Sequence, residues 1–170
     1  MVCPSFSHRR LNKSCSQLLF PALLLVLLLP NLALAGHYFI QDLPDVIDVK
    51  YHKAILDAGV QHSGQLYDRI AAKKRRAAFA RKSGLAIEQL VKWARFIDLM
   101  QLDGIGPKMV RLLNAAGVET LRDFKRSKTL ALYKKIRLVN RGGRYSQVVP
   151  GVDVLKAWIK RARRTKNRLQ

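Results

Sequence analysis

The chain has 170 residues, 32 lysines and arginines against 11 aspartates and glutamates, a net charge of +21 and 49% hydrophobic residues. That apolar share excludes a disordered polyelectrolyte despite the charge, and ten glycines without a period exclude a collagen-like or linker polymer. One globular domain with a core is expected.

The first element in chain order is a targeting segment. Leu18 to Leu29 reads LLFPALLLVLLL without a charge, after Arg9, Arg10 and Lys13, and Pro30-Asn31 breaks it before Ala33-Leu34-Ala35-Gly36. A basic start, a short apolar core and small residues at a cleavage position make residues 1–35 a signal peptide, cut after Ala35. The competing reading is an uncleaved inner-membrane anchor over residues 18–35, for which the run is short and carries Pro21. The expected localisation is therefore exported, periplasmic or secreted, with membrane contact only if the signal is retained. Cys3 and Cys15 both lie in this segment, so the rest has no thiol for a disulfide, an iron–sulfur cluster or a thiolate zinc site.

Beyond the signal, residues 36–165 make a domain and residues 166–170 a basic tail, together carrying a net +18. Gly36 to Ile70 holds five acids and three bases, whereas Ala71 onward holds 26 bases and six acids, so an anionic partner would meet the later part.

Helical spacing dominates this domain, and the expected class is all-α with five or six helices. Gly64 to Lys82 carries Leu66, Ile70 and Phe79; Ala86 to Met100 sets Leu90, Trp93, Ala94, Ile97 and Met100 on one stripe. Pro107 to Ala116 opens on a proline suited to a first helical position and stops at Gly117. Thr120 caps a short helix through Ser127. Thr129 to Asn140 is a further helix, Arg141-Gly142-Gly143-Arg144 a loop, and Val152 to Arg164 a last helix with Leu155, Trp158 and Ile159 inward. Gln147 to Val149, the one strand candidate, is too short to matter. The predicted core is Leu90, Trp93, Ile97, Leu112, Leu113, Val118, Leu155 and Trp158.

Laid on itself at an offset of 58 residues, the chain matches Asp45-Val46-Ile47-Asp48-Val49-Lys50 with Asp103-Gly104-Ile105-Gly106-Pro107-Lys108, and Ala58-Gly59-Val60 with Ala116-Gly117-Val118. This reads as a duplication of a helical hairpin whose first copy lacks both turn glycines.

Leu102-Asp103-Gly104-Ile105-Gly106-Pro107-Lys108-Met109-Val110-Arg111-Leu112-Leu113, followed by Ala116-Gly117-Val118-Glu119-Thr120-Leu121, resembles a helix-hairpin-helix element. Over roughly Leu43 to Arg164 the pattern is also similar to a bacterial family of doubled helix-hairpin-helix domains of unknown function. The resemblance implies that the amides opening the second helix meet a DNA phosphate, as helix N-termini favour anions. The residues it points to are Gly104, Ile105, Gly106, Pro107, Lys108 and Arg111, with Arg141 and Arg144 as a further basic loop. The same glycines equally fit a tight interhelical turn without a ligand. In the first copy, Val46 and Asp48 would obstruct and repel a phosphate, so that hairpin is expected to be scaffold.

Lys73-Lys74-Arg75-Arg76, Arg81-Lys82 and Lys160 to Arg168 widen the basic surface, although each alone fits a solvated helix face or a frayed tail. Tyr51, Tyr67, Tyr133 and Tyr145 are too scattered to stack single-stranded bases. Lys108 stands where base-excision glycosylases with this hairpin carry a lysine nucleophile, yet no catalytic aspartate or second helical domain accompanies it. Asp42, Asp45 and Asp48 read as a capping acidic segment rather than a metal cluster, and His52 and His62 lack ligand-like spacing. No Ser-His-Asp order or Walker loop occurs. The expectation is an exported protein that is not an enzyme, has no metal or cofactor, and contacts duplex DNA phosphates without sequence readout. The other function class is a helical interaction module whose basic surface docks on an acidic protein, an envelope component or another polyanion.

Overall fold

The computed structural model describes residues 37–170, and both readings of the targeting segment fall on residues outside that range. The described residues form an all-helical fold of eight α-helices without a strand. They are α1 (His52–Asp57), α2 (Ser63–Ile70), α3 (Lys73–Ser83), α4 (Ile87–Met100), α5 (Pro107–Ala115), α6 (Leu121–Arg126), α7 (Thr129–Val139) and α8 (Val152–Arg164). Short 3-10 turns occupy Ile40–Asp42, Val49–Tyr51 and Arg141–Gly143.

The expected count of five or six helices is too low for two reasons. Helix α1 has six residues, too few to show a period. The stretch 64–82, read as one helix, breaks at Ala72, whose backbone is extended (φ −88°, ψ 136°). Arg76 stabilises that break. Its Nε donates to the Ile70 carbonyl at 2.7 Å and its Nη2 to the Ala71 carbonyl at 2.9 Å, supplying donors that a continuous helix would have drawn from later amides. Arg76 is 5% exposed, has no carboxylate partner among the described residues, and brings its charge to the negative end of the α2 dipole.

Other ends follow their sequence signals. Pro107 opens α5, and Gly117, at φ +86°, terminates it. Thr120 and Asp123 form a reciprocal capping box at α6: the Asp123 amide donates to Thr120 Oγ1 at 3.2 Å and the Thr120 amide to Asp123 Oδ2 at 3.0 Å.

Burial divides into two hydrophobic clusters. One gathers Ile40, Ile55, Val60, Leu66, Ile70, Leu90, Trp93 and Ile97; the other gathers Leu112, Leu113, Val118, Phe124, Leu132, Ile136, Leu155 and Ile159. Seven of the eight predicted core residues are buried. Trp158 is the exception, half-buried at the edge of the second cluster.

The 58-residue offset recurs in the backbone bonding. Ala58 N–H donates to Ala54, Gly59 to Leu56, Val60 to Ile55 and Leu66 to His62; Ala116 donates to Leu112, Gly117 to Asn114, Val118 to Leu113 and Phe124 to Thr120. Helix α4 packs on α2 and α3 as α8 packs on α6 and α7. Each repeat is thus a four-helix unit, and the second cluster also takes in Leu43, Leu99 and Met100 from the first. Between them stands Asp98 of α4, 2% exposed, which accepts from the Tyr67 hydroxyl of α2 and, at 2.8 Å, from the Leu121 amide that opens α6. The chain after α8 runs back onto the first repeat. The Gln170 amide donates to the Ala71 carbonyl at 3.0 Å, Arg76 Nη2 donates to the Gln170 carbonyl at 2.7 Å, Arg168 covers the Tyr67 ring, and Leu169 packs on the first cluster. The described residues form one compact unit containing both cores.

Candidate nucleic-acid interface

The turn between α4 and α5 is built around a buried plug. Ile105, 3% exposed, sits in the second cluster and its amide donates to the Leu102 carbonyl at 3.0 Å. To bring the chain over that plug, Gly104 adopts φ +85°, a left-handed conformation that side chains other than glycine's resist. Gly106 is extended and caps α5, and Pro107 has no amide to leave unsatisfied. The amides of Gly106, Lys108 and Met109 have no acceptor among the described residues. Lys108 is exposed beside them.

Two aromatic side chains from elsewhere flank this turn. Tyr38 is held on the first repeat, its amide donating to Ser63 Oγ at 3.1 Å and its carbonyl accepting from the Ser63 amide at 2.8 Å. Its hydroxyl reaches Gly106, where a β-carbon would stand 2.8 Å from Oη. Trp158 leans from α8 over Gly104, where a β-carbon would stand 3.2 Å from Nε1. Neither the phenol nor the indole N–H has a hydrogen-bond partner among the described residues. Tyr38, Met100, Leu102 and residues 104–106 line a cleft of about 170 Å³ at this point.

The first copy provides an internal control. Val46 stands at the position of Gly104, and no non-glycine residue among those described has positive φ, so its turn follows another backbone path. Trp93 donates its indole N–H to the Val46 carbonyl at 3.1 Å. Asp48 accepts from the Lys50 amide at 3.1 Å and pairs with its ammonium at 3.0 Å; these contacts hold its carboxyl below the usual range and keep it negative. The Trp93 indole and the Lys50 amide thus have acceptors within the protein, and an anion at this turn would meet Asp48.

The remaining predicted site residues separate. Arg111 lies one turn along α5, but its Nη1 pairs with Asp45 at 2.7 Å, which joins the second repeat to the first turn. Arg141 and Arg144 stand beyond α7 on a loop organised by Asn140, whose Oδ1 accepts from the Tyr145 and Ser146 amides and whose Nδ2 donates to the Ser146 carbonyl. No hydrogen bond or ion pair among the described residues joins that loop to residues 104–111. Tyr38 carries no signal in the sequence; it lies in a stretch without period, and only the small size of Gly106 hints that something approaches it. The histidines have local duties. His52 Nε2 donates to the Ile47 carbonyl at 2.8 Å, and His62 Nδ1 accepts from the Gln65 amide. No three His, Cys, Asp or Glu side chains among the described residues are placed to hold a metal, and no helix among them is long and apolar enough to cross a membrane.

A family model described as a domain of unknown function (DUF4332) matches residues 46–165. No curated protein and no solved structure matches the chain.

Proposed function

We propose that this chain, which belongs to the DUF4332 family, is an exported, non-enzymatic binding protein. Its second hairpin, of helix-hairpin-helix type, grips phosphates of duplex DNA without reading sequence. The observation that carries the reading is the contrast between the repeats: Trp93 spends its N–H on Val46, whereas Trp158 presents its N–H beside Gly104 without a protein acceptor among the described residues. With the Tyr38 hydroxyl, the unpaired amides at the start of α5 and Lys108, this gathers donors about one turn, where the neighbouring acid, Asp103, faces Arg161 at 3.9 Å, and donors of this kind are what a phosphate oxygen requires. Arg141, Arg144 and the other bases would add nonspecific attraction.

One observation favours a second reading. Gly104 and Gly106 make room for Trp158 and Tyr38, and that close packing alone accounts for both glycines. In this case the hairpin is architecture and the basic surface serves an acidic protein or an envelope polyanion.

Duplex-DNA binding by residues 34–170 in a salt titration, with heparin alongside, separates the two. Tyr38→Phe removes one donor and keeps its ring, and Trp158→Phe removes the other while leaving a smaller aromatic ring in place. If the hairpin holds phosphate, each weakens DNA binding by about tenfold or more, as loss of a hydrogen bond to a charged group does, and heparin binding changes less. Unchanged DNA binding in both variants would leave the hairpin a structural element.

A further inference from the structure

A different surface carries a different property. Between Asp123 and Asp153 the chain has eight lysines and arginines and no acid. Asp123 is itself engaged by Thr120 in the capping box. This stretch contains α7, whose Leu132 and Ile136 enter the second core. On its outer side Leu130, Lys134, Arg137 and Leu138 fall within about a third of a turn of one another, and the two leucines are 57% and 55% exposed. Beyond α7 the Asn140 bonds fix the adjoining loop against the end of the helix, where it displays Arg141, Arg144 and Val148, the valine 74% exposed.

Phosphate binding does not explain those apolar tips. A nucleic-acid backbone rewards the cations and gains nothing from Leu130, Leu138 or Val148. A protein interface would bury Lys134 and Arg137 between the leucines, at a desolvation cost that keeps lysine rare in interface centres. A lipid headgroup layer satisfies both: apolar tips enter the acyl boundary while flanking cations stay hydrated among anionic headgroups. We infer that the outer face of α7 and its adjoining loop form a peripheral docking surface for an anionic bilayer, independent of the hairpin and of residues 1–36.

The test is co-sedimentation of residues 34–170 with vesicles of phosphatidylcholine, with and without about a quarter phosphatidylglycerol. The wild type is expected to bind the anionic vesicles and to leave the neutral ones. Leu130→Ser with Leu138→Ser keeps every charge and is expected to weaken anionic-vesicle binding by about tenfold or more while heparin binding and the helical spectrum stay as in wild type. Lys134→Gln with Arg137→Gln is expected to weaken both. Vesicle binding unaffected by the leucine pair would overturn the inference, reducing the surface to generic charge. So would absence of vesicle binding combined with retention on immobilised polyglutamate that the leucine pair abolishes, which would give the face to an acidic polypeptide.

Discussion

Replacing Asp98 tests whether the two repeats are coupled through one carboxylate. The side chain is buried and both oxygens accept, one from the Tyr67 hydroxyl and one from the Leu121 amide. Asp98→Ala strips two buried donors of their acceptor, each costing about 1–3 kcal/mol. The expected total is about 2–6 kcal/mol, or roughly 7–20 °C in Tm for a domain of this size. Asp98→Asn should behave otherwise. Its amide oxygen can serve Leu121 and its NH2 can donate to Tyr67, whose hydroxyl also accepts, so the cost should stay below about 1 kcal/mol. The two variants also differ from wild type in pH dependence. Burial raises the Asp98 pKa above its ordinary value of 3.8, outweighing the bonds from Tyr67 and Leu121 that favour the anion. The folded state therefore holds the proton more tightly than the unfolded chain. The stability this gives is complete below 3.8 and is lost as pH rises through the folded-state pKa. Wild type should accordingly lose ground to Asp98→Asn as pH rises through that window and hold a constant difference above it. Urea unfolding of residues 34–170 at several pH values reads this directly. An asparagine variant as damaged as the alanine one, or a wild type that gains on it with rising pH, would refute the reasoning.

Arg76→Leu should cost about 2–3 kcal/mol, because the Ile70 and Gln170 carbonyls lose their donor and the Ala71 carbonyl keeps only the Gln170 amide; limited proteolysis should then cut residues 165–170, which the wild type protects. Lys108→Gln should leave the thermal midpoint within about 1 °C and reduce the slope of log binding constant against log salt by about 0.9, if its ammonium meets a phosphate. Arg111→Gln should change that slope less, since Asp45 already neutralises it, while loosening the link between repeats.

Much of the fold is legible because apolar period and end signals agree: Leu90, Trp93 and Ile97 on α4, Pro107 and Gly117 around α5, Thr120 before α6. The α2–α3 break is not, because Ala71-Ala72 carries no breaker and the cause is a side chain four residues on, Arg76, whose place in a run of four bases suggests solvent. Duplication is visible at 58 residues, yet its full extent is hidden because the two halves differ between α3 and α4 and between α7 and α8. At the candidate site, residues 104–108 do form one turn, as their spacing implies. The position of Arg111 one helical turn along says nothing of Asp45 arriving from the other repeat. Tyr38 is out of reach because only tertiary packing carries it to Gly106, and Trp158 reads as core because helical spacing does not distinguish the middle of a buried face from its edge.

The two glycines of the second turn can be separated by the reason each is a glycine. At Gly104 the backbone itself demands it, and any β-carbon is strained at φ +85° before it meets Trp158. Gly106 has an ordinary φ of −88°, so an alanine there suffers only from its neighbour. That neighbour is a single atom: Tyr38 Oη at 2.8 Å, with the next atom, Cζ, at 3.8 Å in normal contact. Gly106→Ala should therefore cost about 1–2 kcal/mol in the wild-type background and a few tenths at most once Tyr38→Phe has removed the hydroxyl. Thermal unfolding of the two single variants and the double variant gives that coupling. A zero coupling with a cheap single variant would mean that Tyr38 swings aside at no expense and that packing does not require the glycine. The case for a close ligand would then rest on whether Gly106→Ala, stable and folded, still holds duplex DNA. A strong coupling with DNA binding intact in the double variant would instead place the whole demand for Gly106 on the tyrosine.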